Sequence, residues 1–144
     1  MRVMGLDVGD KTVGIAVSDE LGITAQGLPT LRRERLAFDL AHVHGVAQEQ
    51  GATRVIVGLP LNMDGTEGPR AAVSRKFGDA LGKLTGLPIE YWDERLTTAQ
   101  AERVLLEADV SRRKRRQVID KLAAQVILQG WLDAQRPASE AEHE

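Results

Sequence analysis

The chain has 144 residues, 42% of them hydrophobic and 28% charged, which is the composition of one compact globular domain. Lysine and arginine number 19 against 21 acidic residues, so the net charge of −2 gives no global pull toward nucleic acid or membrane, and any basic binding face must be local. The absence of cysteine excludes a disulfide framework, a thiolate nucleophile and cysteine-ligated zinc, and an aromatic content of 3% calls for an aliphatic core and argues against a single-strand platform of stacked rings.

The N-terminal MRVMGLDVGDK meets an Asp and a Lys too early for a signal peptide, and no apolar run approaches the roughly 18 to 20 residues of a membrane span. A cytoplasmic protein with no membrane partner is expected. Val3 to Val8 and Gly14 to Ser18 are short apolar runs around the turn-like Gly9-Asp10-Lys11-Thr12, which predicts a hairpin, and Ile23 to Leu31 continues the meander. Leu36, Leu40, Val43 and Ala47 then repeat at helical spacing up to Gly51, a C-terminal cap residue. The continuous apolar run Arg54 to Leu59 predicts a strand buried on both faces.

After a glycine-rich loop, Val73, Phe77, Leu81 and Leu84 predict a second helix ending near Gly86, and Pro88 to Trp92 the next strand. Thr97 and Gln100 form a capping-box signature for a helix running to about Ala108, and Ile119, Leu122, Val126 and Ile127 form the apolar stripe of a final helix reaching about Ala134. A meander that passes into βαβ crossovers predicts an α/β protein with a mixed five-stranded sheet and helices on both faces, the ribonuclease H-like arrangement. The domain is expected over residues 1–137, followed by an acidic flexible tail, 138–144, carrying Glu140, Glu142 and Glu144.

Asp7 interrupts an apolar strand, where a lone carboxylate is costly unless paired, hydrogen-bonded or bound to a cation. The plainer reading has it accept N–H groups of the Gly9 turn. A second acidic group, Asp93 and Glu94, stands where the Pro88–Trp92 strand runs out, and strand ends of an open α/β sheet line its ligand crevice. Asp120 lies on the last helix, close before the small residues Ala123 and Ala124, which would let that helix approach the sheet; its plainer role is an ion pair with Arg116 or Lys121. Acids on two strand ends and a packed helix suit a hard divalent cation such as Mg²⁺. His42 and His44 point to different helix faces, His143 is in the tail, and Ser18 and Ser74 lack a nucleophile-elbow context. The loop Gly58 to Gly68 could bring N–H groups to a phosphate, but it lacks the Gly-Lys-Ser/Thr ending of a P-loop. The unbroken basic run Arg112, Arg113, Lys114, Arg115 and Arg116 reads as a nucleic-acid patch, with Arg32, Arg33 and Arg35 next in line.

Four blocks, Gly5 to Asp19, Val57 to Gly68, Asp93 to Thr98 and Asp120 to Leu128, together resemble the YqgF/RuvX family, described as Holliday junction resolvases and as nucleases acting at the 5′ end of precursor small-subunit ribosomal RNA. The resemblance covers about residues 1 to 134. It implies a ribonuclease H-like fold and Mg²⁺- or Mn²⁺-dependent cleavage of nucleic acid, either precursor rRNA or branched DNA, by a monomer or homodimer. Asp7, Glu94 and Asp120 match the family's acidic positions, Asp93 is a further candidate metal ligand, and Lys11 and Arg95 join the basic run as candidate nucleic-acid contacts. In a departure from RuvC-type resolvases, no second acid follows Asp120 by three or four residues, where Ala123 and Ala124 stand instead, and this bears on whether the site holds one metal ion or two. Two other readings are an actin-like or sugar-kinase ATPase, which the first block also resembles but which needs two such domains, and a non-catalytic nucleic-acid-binding module.

Overall fold

The computed structural model describes residues 1–95 and 112–135, and for residues 112–121 the backbone alone. The strands are β1 (Arg2–Val8), β2 (Thr12–Ser18), β3 (Ala25–Arg32), β4 (Ala52–Leu59) and β5 (Ile89–Asp93), and the helices are α1 (Leu36–Gln50), α2 (Pro69–Thr85) and α3 (Arg112–Gln135). They build a mixed sheet in the order β3-β2-β1-β4-β5, antiparallel across β1, β2 and β3 and parallel across β1, β4 and β5. The fold class expected from the sequence is the one found. The expected helix from Thr97 to Ala108 and the tail 138–144 lie outside the described residues. Among those described, no helix is long and apolar enough to cross a membrane.

Strand alternation sorts the core into two layers. Met4, Leu6, Val8, Val13, Ile15, Val55 and Val57 face α1 and α2, meeting Leu40, Val43, Phe77 and Leu81. Val3, Ala16 and Ile56 face α3 and meet Ala124, Ile127, Leu128 and Trp131. Gly51 and Gly86 end α1 and α2 in the left-handed conformation, with φ of 70° and 74°, which costs glycine no Cβ clash.

Two element starts and one helix face are set by local contacts. β3 starts at Ala25, two residues after Ile23, because the Asp19 carboxylate accepts the N–H groups of Ile23 and Thr24 and holds them in a turn. α2 starts at Pro69, which fits the first helical turn because it has no N–H to leave unpaired. The stripe of α3 is displaced: Ala124, Ile127, Leu128, Trp131 and Leu132 are buried, whereas Leu122 and Val126 stay partly exposed. Apolar residues lie on more than one side of this helix, so periodicity left its facing open and close contact with glycine decided it. A Cβ on Gly5 would stand 2.7 Å from Leu128 Cβ and 3.2 Å from Ala124 O. Gln125 and Gln129 then fasten α3 to the edge strand, Gln125 donating to Ala25 O at 3.0 Å and Gln129 accepting from Ala25 N–H at 2.9 Å.

Candidate active site

Asp7 is the penultimate residue of β1 and shares with Val3 and Gly5 the sheet face that α3 covers. Its antiparallel partner is Gly14, where a Cβ would stand 3.5 Å from Asp7 Cβ and 3.4 Å from Ala124 Cβ. Two small residues therefore leave room for the carboxylate beneath the helix.

At the end of β5 the two acids go to different neighbours. Asp93 is bidentate with Arg95, whose Nη2 lies 2.7 Å from Oδ2 and whose Nε lies 3.1 Å from Oδ1. That guanidinium lowers the Asp93 pKa and also reaches Met63 O at 3.2 Å. Glu94 instead shares a hydrogen bond with Asp7. Burial, then the negative charge of Asp7 and that hydrogen bond, push its carboxyl up to about 8; Asp93 adds to the rise and the cation of Arg70 opposes it. A Cβ at Gly58 would stand 2.5 Å from Glu94 Oε1, so the absence of a side chain there makes the cradle in which Glu94 lies.

Asp120 lies on α3 one turn before Ala124, the residue that packs on Gly14; its side chain, like those of Arg112, Arg113, Lys114, Arg115 and Arg116, is outside the described residues. Among the described residues no group of three or more His, Cys, Asp or Glu forms a metal cluster. Asp7 and Glu94 make two carboxylates drawn close around one proton, and a donor set of this kind fits a hard divalent cation, which takes carboxylate oxygens and replaces the proton as the charge between them.

Other candidates are accounted for otherwise. The N–H groups of Asn62, Gly65 and Thr66 bond within their own loop, to Thr66 O, Asn62 O and Asp64 Oδ1, which leaves the Gly58–Gly68 loop poorly supplied as a phosphate cradle. Ser18 and Ser74 are buried and donate to the backbone oxygens of Asp19 and Arg70. His42 is exposed on α1. Arg33 is withdrawn from any surface patch by an ion pair with the buried Asp39, Nε to Oδ2 at 3.1 Å. Sequence reasoning missed Arg70 and Asp39. Pro69 after Gly68 was the available signal for Arg70, since it marks a helix start and hence a cation in the first turn. The signal for Asp39 was its place on the apolar stripe of α1, three residues after Leu36 and four before Val43, with Arg33 six residues upstream as the available partner.

A mixed sheet in this order, with helices on both faces, is the ribonuclease H-like fold. The fold is shared with Thermus thermophilus RuvC bound to a Holliday junction, at a TM-score of 0.62 and 17% identity over 94% of this chain and 96% of that one. The chain belongs to the RuvX family, whose sequence model, described as Holliday junction resolvase, matches residues 1–134. Proteins named as pre-16S rRNA nucleases are 64% identical in Myxococcus xanthus, over 95% of this chain and 91% of theirs, and 60% identical in Symbiobacterium thermophilum, over 93% of each.

Proposed function

We propose that the chain is a divalent-metal-dependent endonuclease that trims the 5′ end of precursor 16S rRNA in the cytoplasm. The observation that carries this reading is the meeting of the Asp7 and Glu94 carboxylates at two strand ends, beneath a helix that also bears Asp120. The names of the relatives supply the substrate. Asp7, Glu94 and Asp120 are the residues that would hold Mg²⁺ or Mn²⁺, and a bound ion supplies activation of the attacking water and stabilisation of the leaving oxygen. Lys11, exposed on the β1–β2 turn, and the run Arg112, Arg113, Lys114, Arg115 and Arg116 contact phosphates of the substrate. Asp93 acts one step back: it holds Arg95, which orders the loop around Met63 beside the site.

The family's own description favours a second substrate, the four-way DNA junction. A junction resolvase cuts two strands symmetrically and so needs a two-fold dimer, whereas trimming one RNA strand needs one site. The test is cleavage of a precursor-rRNA fragment and a Holliday junction side by side in Mg²⁺, Mn²⁺ and EDTA, with the mass in solution. Metal-dependent cutting of the RNA by a monomer is the expected result. Paired cuts in the junction by a dimer would replace it with the resolvase reading, and binding without cleavage of either would leave a non-catalytic module.

A further inference from the structure

The nuclease reading makes no use of the most deeply buried charge in the described structure. Asp39 in the first turn of α1 is fully buried, and its carboxylate accepts from Arg33 Nε at 3.1 Å and from the N–H of Glu34 at 3.0 Å. A buried ion pair is not in itself a strong stabiliser, since well-packed apolar residues serve as well or better. What apolar residues would lack is the rest of the Arg33 contacts. Its Nη1 donates to Gly9 O at 2.9 Å and its guanidinium lies 5.5 Å from the centre of the Phe77 ring, while its backbone N–H, which an apolar residue here would keep, donates to Lys11 O at 2.8 Å.

Those two carbonyls belong to the turn that follows Asp7, and beyond Leu6 the strand β1 keeps its ladder on one side only. The parallel ladder of β1 with β4 stops at Leu6 and Val57, while the antiparallel ladder of β1 with β2 continues through Asp7 and Gly14 to Val8 and Val13. Asp7 thus stands past the last residue that β1 pairs with β4, although β4 itself runs on to Leu59, and it is held in the sheet by β2 alone. We propose that the Arg33–Asp39 pair is a positioning device for the Asp7 carboxylate: it ties the β1–β2 hairpin tip to α1 and α2 and so sets the metal-binding geometry without touching substrate. The inference rests on the reading of Asp7 as a metal ligand.

The test measures Mn²⁺ affinity by electron paramagnetic resonance in the absence of nucleic acid, followed by cleavage kinetics. Arg33→Gln removes the tether. Combining Arg33→Met with Asp39→Leu replaces the buried pair by apolar groups, so that folding survives while the contact to Gly9 is lost. Both are expected to raise the Mn²⁺ Kd by about 10- to 100-fold, the usual effect of losing an outer support of a metal ligand, to lower kcat at fixed metal, and to change KM for the nucleic acid less than kcat, because Lys11 alone of the proposed phosphate contacts sits on the tethered turn. Arg33→Lys keeps the charge but not the fork and should fall between. A variant with wild-type circular dichroism and wild-type Mn²⁺ affinity overturns the inference while leaving the nuclease reading in place. A wild-type protein that binds no Mn²⁺ overturns both.

Discussion

Asp7 and Glu94 repel each other unless a proton or a cation stands between them, and this makes the pair a source of instability in the metal-free protein. Asp7→Asn should therefore abolish cleavage yet stabilise the metal-free fold by about 1 kcal/mol, which for a chain of this size is roughly 2 to 4 °C in Tm. Wild-type turnover by the pure variant would remove Asp7 from the site. The Glu94 carboxyl keeps its proton up to about 8 in the folded protein, against 4.5 for the ordinary group. Between those values the native state holds the extra proton, so stability in EDTA should fall as pH rises from about 5 to 8 and level off above. Thermal melts of Glu94→Gln should lack that slope, and an equal slope in the variant would assign it to other groups.

At the scale of elements, the decisive contact is α3 on the glycines of the central strands. Leu128 Cβ and Ala124 O, the atoms a Cβ on Gly5 would meet, are fixed to the helix backbone and cannot rotate away. Gly5→Ala should accordingly destabilise by about 1 to 3 kcal/mol, the range of an overpacked core, and this outweighs the few tenths that alanine gains by restricting the unfolded chain. A Tm at or above wild type would show that α3 lifts without penalty. The start of α3 carries the basic run, assigned here to binding and not to chemistry. Changing Arg112, Arg113, Arg115 and Arg116 to Gln should flatten the slope of log K against log[salt] by about 3 to 4 units, at roughly 0.7 to 0.9 per phosphate contact. Cleavage at saturating substrate should fall far less than in Asp7→Asn, and an unchanged salt slope would move the binding face elsewhere.

For the whole molecule, the proposed chemistry depends on a hard cation of the right size. Activity is expected with Mg²⁺ or Mn²⁺, none in EDTA, and little with Ca²⁺, whose larger and looser coordination shell holds reacting groups less tightly. An ion held by Asp7 and Glu94 would relieve their repulsion in the folded chain, so Mn²⁺ at about 100 times its Kd should add roughly 2.7 kcal/mol of stability, readable as a rise in Tm. Full activity in EDTA would rule the mechanism out.

The sequence by itself determined the order of the described elements, the buried central strand and the acids worth testing. Those features are local: apolar runs of strand length, glycines that end helices, and a carboxylate in an apolar strand can each be read from a few neighbouring residues. The tertiary structure decided the pairing of those acids. Asp93 ends β5 and Glu94 opens the helical turn after it, so Glu94 meets Asp7 while Asp93 turns to Arg95, and no pattern in Asp93-Glu94-Arg95 says which. The facing of α3 was hidden for a related reason, since a helix with apolar residues on more than one side chooses by the depth of contact that Gly5 permits. Arg33, counted by composition among surface cations, became a buried tether only because folding brought Asp39, Gly9 and Phe77 around it.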